Sequence, residues 1–232
     1  MELTSDLSTI SILLVGFALG LQHAIEADHI AAVSTIVSEK KSLLTASIVG
    51  GFWGLGHTIA LFAAGATVIF LKVQISETAE ARLEAMVGAM LVLLGLNALR
   101  KLFSAEKVHV HKHEHDGREH VHIHTHDSVP EASHHRFSPR SILIGMLHGL
   151  AGSAALMLLI LPVIPSPAIA LLYILIFGVG SIGGMMAMSF LIGLPFHFTA
   201  GRFNFLNGSI RLAAGIFSLG LGGFIVYEKL YA

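Results

Sequence analysis

Long uncharged apolar runs dominate this chain and restrict its fold more than any other feature. Six stretches, at roughly 8–37, 43–71, 82–103, 140–164, 168–195 and 209–230, reach the about 20 apolar residues that a helix needs to cross hydrocarbon. Backbone groups in lipid must bond within their own segment, so such runs fold as helices. Only 12% of the 232 residues are charged, against about 25% in an ordinary soluble domain. The chain therefore reads as an all-α membrane protein of six transmembrane helices, with the lipid bilayer as its solvent. No basic leader precedes the first run, since Glu2 and Asp6 are acidic, and no small-residue cleavage pattern follows. It is expected to remain as a span, with the mature chain beginning at or near Met1.

A net charge of −1 gives no field that would draw nucleic acid or anionic substrates. The absence of cysteine removes disulfides, thiolate metal sites and cysteine nucleophiles. Between the third and fourth spans lies a polar segment, 104–139, holding ten of the fifteen histidines. It lacks apolar periodicity and is expected to have no fixed structure. His109, His111, His113 and His115, then His120, His122, His124 and His126, alternate with other residues and form a tract able to chelate divalent transition metals.

Lys and Arg counts set the expected orientation. With six spans, eleven basic residues fall beside the connections near 38–42, 104–139 and 196–208, and only Lys72, Arg82 and Lys229 fall on the other side. Both termini should face away from the cytoplasm, with the His-rich loop inside. The two halves, 1–103 and 140–232, also repeat. Gly20-Leu21-Gln22-His23 matches Gly145-Met146-Leu147-His148 at an offset of 125, and Gly54-Leu55-Gly56 matches Gly178-Val179-Gly180 at 124. Gly88 and Gly95 match Gly215 and Gly222 at 127. Three spans per half force opposite insertion, so the expected architecture is two inverted three-helix repeats, an arrangement typical of transporters with a site near the midplane.

Ionisable groups within the spans are few, and each is costly in hydrocarbon without a partner or a task. The run His23-Ala-Ile-Glu26-Ala-Asp28-His29 packs two carboxylates and two imidazoles into seven residues. A divalent cation would neutralise the carboxylates and occupy the imidazole lone pairs; imidazole with carboxylate suits nickel, cobalt, zinc and iron. At about 100° per residue, Glu26 and His29 lie roughly 60° and 120° round from His23, with Asp28 about 140° round the other way. A regular helix therefore cannot aim His23, Asp28 and His29 at one ion. Either the first span is broken here, or Asp28 orients a histidine from behind. His57, in Gly54-Leu55-Gly56-His57-Thr58, could add a nitrogen. Thr58, His148 and Ser153 are secondary candidates alongside Glu26. The plainer alternatives are histidines that hydrogen-bond across helix interfaces and a proton relay without metal.

At these residues the chain resembles the nickel/cobalt transporter (NiCoT) family. That family's signature of His, four residues and Asp-His is matched by His23, Asp28 and His29, and its Leu-Gly-His-Ser/Thr motif by Leu55-Gly56-His57-Thr58. Typical members carry an additional leading span, and acidic residues where this chain has Ser34-Thr35. Gly145–Ala155 looks like the six-span urease-accessory (UreH-like) relatives. The resemblance implies secondary transport of nickel or cobalt, with His23, Asp28, His29 and His57 selecting the metal. It also implies uptake across the cytoplasmic (inner) membrane, no cofactor beyond the cargo, and metallochaperones or metalloenzyme-maturation proteins as partners. No Walker A pattern is present, so the chain does not hydrolyse ATP by itself. Two other classes compete with this expectation. One is an intramembrane histidine-box metalloenzyme, and the other an exporter or sensor working through the His-rich loop.

Overall fold

A computed structural model describes residues 2–40, 42–72, 76–104, 109–115, 118–124, 139–151, 164, 166–200 and 202–231. Seven helices are described: α1 (Glu2–His23), α2 (Ala27–Val37), α3 (Leu43–Leu71), α4 (Glu77–Ser104), α5 (Pro139–Ala151), α6 (Pro167–Thr199) and α7 (Asn204–Tyr231). Of these, α3, α4, α6 and α7 are each long and apolar enough to cross a membrane alone. At 1.5 Å per residue, the 29 residues of α3 reach about 44 Å, more than the roughly 30 Å hydrocarbon layer. Thr9–His23 of α1 and the whole of α2 are long and apolar enough only when taken together, as a pair bent by 54° at their junction.

The break follows from local chemistry. The chain turns through backbone bonds from Ile25 N to Gln22 O and from Glu26 N to His23 O, at 2.9 and 3.1 Å. Glu26 takes the N-cap position of α2 in extended conformation, yet its side chain caps nothing. It reaches back to His23 instead. Asp28 lies in the first turn of α2, where a negative charge is favoured by the helix dipole. An interrupted backbone at membrane depth persists where protein surrounds it or where it lines a water-filled cavity; Ala24 at the break is buried, while Ile25 and Glu26 are exposed.

Four described long spans and one bent pair account for five of the six expected spans. The remaining one, expected at 140–164, begins as α5. Its 13 residues reach about 20 Å, too short to cross. Apart from Ile164, the rest of that stretch lies outside the described residues.

Helices meet chiefly in the pairs α4 with α7, α3 with α6, α3 with α5, and α1 with α6. These seams depend on absent side chains. A Cβ at Gly20 would strike the Phe177 carbonyl, and one at Gly145 would strike that of Trp53. Likewise Gly56 lies against the Ile142 carbonyl and Gly180 against that of Phe17. Between α4 and α7, Gly88 meets the Gly222 carbonyl and Gly95 that of Gly215. Hydroxyls bridge the same seams, Ser218 Oγ donating to Leu91 O at 2.9 Å and Thr58 Oγ1 to Gly178 O at 3.3 Å. Small residues and cross-helix hydroxyls are what hold helices together where lipid removes the hydrophobic drive. Trp53, Leu91 and Met185 fill the interior, while Leu14, Phe70, Leu93 and Phe198 stand exposed on the outside. Such an exterior suits acyl chains.

Within the His-rich segment, expected to have no fixed structure, β1 (His109–His115) pairs antiparallel with β2 (Arg118–His124). The register sets His109 opposite His124, His111 opposite His122 and His113 opposite His120. The alternation that forms the chelating tract has the period of a strand.

Candidate metal site at the broken span

Four imidazoles from four helices converge at the break. His23 ends α1, His29 stands in the first turns of α2, His57 lies mid-way along α3, and His148 lies in α5; none exposes more than 1% of its surface. The His23 ring centroid lies 4.5 Å from that of His29 and 4.9 Å from that of His57. His29 lies 4.1 Å from His148. Ending α1 at His23 and restarting at Ala27 is what brings His23 and His29 to the same place, as a continuous helix could not.

Two carboxylates organise the rings. His23 Nδ1 donates to Glu26 Oε1 at 2.8 Å. Asp28 is gripped from three sides. Its Oδ1 accepts from the His29 backbone N–H at 2.8 Å and from His29 Nδ1 at 2.9 Å, and its Oδ2 accepts from His148 Nε2 at 3.0 Å. Since an ionised carboxylate only accepts, each bonded ring nitrogen carries the proton and the opposite nitrogen keeps its lone pair. Those opposite nitrogens, His23 Nε2, His29 Nε2 and His148 Nδ1, are buried without a protein partner, as are both nitrogens of His57. An unsatisfied buried polar atom costs about 1–3 kcal/mol. Five within one cluster are a large cost for a site with no task.

One donor atom each from His23, His29 and His57 can be chosen so that all lie within 4.8 Å of one another, and the same holds for Asp28, His29 and His148. His29 belongs to both groups. The imidazole and carboxylate donors are those that nickel and cobalt accept.

Of the residues singled out from sequence, His23, Asp28, His29 and His57 gather here, joined by Glu26 and His148. The Thr58 hydroxyl donates to Gly54 O at 2.8 Å and to Gly178 O at 3.3 Å, serving the α3–α6 seam. Ser153 and His126 lie outside the described residues. Ser34 and Thr35 are buried and bond back to the Ala31 and Ala32 carbonyls, both at 2.8 Å. Trp53 escaped the sequence reading. It stacks on His29 with centroids 5.4 Å apart and 20° between planes, and it abuts His148 at 5.5 Å. Its signal was available, because the chain's single tryptophan sits four residues before His57 and so on the same helix face.

A family model described as high-affinity nickel-transport protein (NicO) matches residues 9–220. The chain belongs to the NicO family. A urease accessory protein, UreH, from Bacillus sp. (strain TB-90) is 40% identical over 212 residues, covering 89% of this chain and 87% of the relative. No solved structure matches. As a NicO protein the chain is a multi-pass membrane transporter with nickel or cobalt as cargo, and the metalloenzyme alternative falls with that membership. The metal is what passes through, not a resident cofactor.

Proposed function

We propose that this NicO protein takes up Ni²⁺ or Co²⁺ by alternating access, and that the ion dehydrates onto His23 Nε2, His29 Nε2 and a nitrogen of His57. The observation that carries this reading is the set of buried, unpartnered imidazole nitrogens meeting at the break between α1 and α2. Asp28 acts from behind, holding the tautomer and ring plane of His29, as carboxylates do for metal-binding histidines. His148, held by the other Asp28 oxygen, keeps a buried, unpartnered Nδ1 beside His29 and is the next nitrogen that the ion meets.

Two inverted repeats, 1–103 and 140–232, supply the motion. Contacts between the halves support this, because they come in mirrored pairs. At offsets of 124 and 125, the Gly20–Phe177 contact maps onto Gly145–Trp53, and Gly56–Ile142 onto Gly180–Phe17. At 127, Gly88–Gly222 maps onto Gly215–Gly95. Rocking one half against the other about such a symmetric seam opens the site alternately to each side.

The Lys and Arg distribution favours an inner-membrane setting with both termini outside and the loop 104–139 in the cytoplasm. There the cross-strand histidines would hold delivered metal. The relative named urease accessory protein supports uptake that serves a maturation partner. Liposomes loaded with chelator and given an external nickel gradient test the reading. Wild-type protein should accumulate metal, and His29→Ala should not. Equal flux through both would remove the site.

A further inference from the structure

Beside the histidine cluster lies a second feature that the transport site does not account for. A cavity of about 210 Å³ is lined by Glu26, Asp28, Glu84 and Lys229, with Val87, Ala151 and Ile225 as apolar walls. Room for several waters makes it large enough for a cation still carrying part of its hydration shell. Glu84 projects from α4 and Lys229 from the last turn of α7, and the two form an ion pair at 2.6 Å. Three carboxylates against one ammonium leave the lining with net negative charge.

The lining adjoins the histidine cluster through two of its carboxylates. Glu26 and Asp28 are the carboxylates bonded to His23 and His29, whose remaining ring nitrogens are buried and unpartnered. The exposed side chain of Glu26 and the partly exposed side chain of Asp28 thus carry the negative surface of the cavity back to the imidazoles. A second cavity of about 90 Å³, lined by Thr35, Glu39, Lys40 and Arg140 among others, lies at the other end of α2. There two cations face one carboxylate, and Lys101 also occupies Glu39 at 2.7 Å. The first lining carries net negative formal charge and the second net positive.

We propose that the acidic cavity is the antechamber through which a hydrated divalent cation reaches the histidines, and that Lys229 is a tethered stand-in cation which the metal displaces from Glu84. This rests on the histidine site proposed above. The Lys229 ammonium neutralises Glu84 while no metal is near and ties α4 to α7. An arriving dication outbids it electrostatically, since a double charge interacts twice as strongly with the same carboxylates at equal distance. Monovalent cations have no such advantage over an ammonium already in place, so the pair also discriminates by charge. Steering of this kind acts on apparent affinity more than on turnover.

The test measures initial rates of radioactive nickel uptake across a concentration range, normalised to folded protein in the membrane, for Glu84→Gln, Glu84→Asp, Lys229→Met and the double variant E84Q/K229M. Glu84→Gln should raise KM about tenfold with Vmax within about twofold of wild type, and Glu84→Asp should restore most of the affinity. Lys229→Met should move KM the other way, several-fold lower, and make uptake more sensitive to competing sodium. The double variant should resemble Glu84→Gln. A purely structural ion pair predicts that Glu84→Gln and Lys229→Met alter folded amount or Vmax alike and leave KM in place, which would overturn the proposal. If Glu84→Gln does not reach the membrane, Lys229→Met decides the matter: a several-fold lower KM supports the proposal, and an unchanged KM overturns it. His29→Ala separates the two readings. If it transports normally, the histidine site is wrong, whereas a dead His29→Ala beside an unmoved KM in the Glu84 and Lys229 variants removes only the antechamber.

Discussion

Replacing Asp28 with asparagine keeps the shape of the side chain and removes its charge and its acceptor-only character. Asp28 accepts from His29 N, His29 Nδ1 and His148 Nε2 within 2.8–3.0 Å. The asparagine oxygen can satisfy His29, but its NH₂ group then confronts the proton on His148 Nε2, and that ring must change tautomer or turn away. Hydrogen bonds to charged groups are each worth about 1.5–3 kcal/mol, neutral ones about 0.5–1.5. Weakening the two His29 bonds and losing the His148 bond therefore costs roughly 3.5–6 kcal/mol on these values, part of which the tautomer change recovers. What remains falls on how well His29 is aimed. Loss of such orienting partners typically costs 10–100-fold in metal affinity, and we expect Asp28→Asn to weaken nickel binding by that amount. The assay is competition against a chelator of known affinity in detergent, with X-ray absorption at the nickel edge to count nitrogen ligands. The nitrogen shell should survive in Asp28→Asn while the affinity drops. Unchanged affinity would refute the orienting role, and loss of an oxygen ligand from the absorption spectrum would make Asp28 a direct ligand.

Further outcomes follow from the same geometry. His57→Ala should abolish high-affinity nickel binding while leaving the protein folded, because both of its nitrogens lack protein partners and its removal unpairs nothing; circular dichroism and the chelator competition check both parts. Gly20→Ala should destabilise the protein by about 1–3 kcal/mol, the usual cost of forcing bulk into a full contact. Gly145→Ala should do the same if the halves are mirrored, and detergent thermal melts of the two variants should fall together. Deletion of 105–138 should leave flux intact at saturating nickel, measured in liposomes. Metal held by the loop should be released as pH drops below about 6, where ordinary imidazoles protonate; the nickel bound by the full chain in excess of that bound by the 105–138 deletion, followed across that range, reads this.

The membrane character and the break were legible in the sequence for separate reasons. Apolar run length is a local property, so α3, α4, α6 and α7 lie close to where it predicts them. The break was legible because helix periodicity forbids His23, Asp28 and His29 from sharing a target, and the structure adopts both ways out at once, interrupting the helix at residues 24–26 and setting Asp28 behind His29. Pairings across the chain were less visible. That Asp28 would also hold His148, 120 residues away, depends on how α5 docks against α3. Neither Glu84 nor Lys229 announces its partner, since each reads alone as an ordinary charge near a span end. Thr58 shares the family motif with His57, but one residue along a helix turns the side chain by about 100°, and its hydroxyl bonds across the seam to α6.

The glycine seams limit how this molecule can move. Where a main-chain carbonyl rests on a neighbour's bare Cα, no layer of side chains can shear, so sliding would break contacts along the full seam at once. Tilting keeps the touching point and opens only the ends. Gly20 rests on Phe177, whose ring lies 5.5 Å from His23, and Gly145 on Trp53, whose ring lies 5.4 Å from His29, so in the rocking proposed above these contacts would serve as bearings beside the imidazoles.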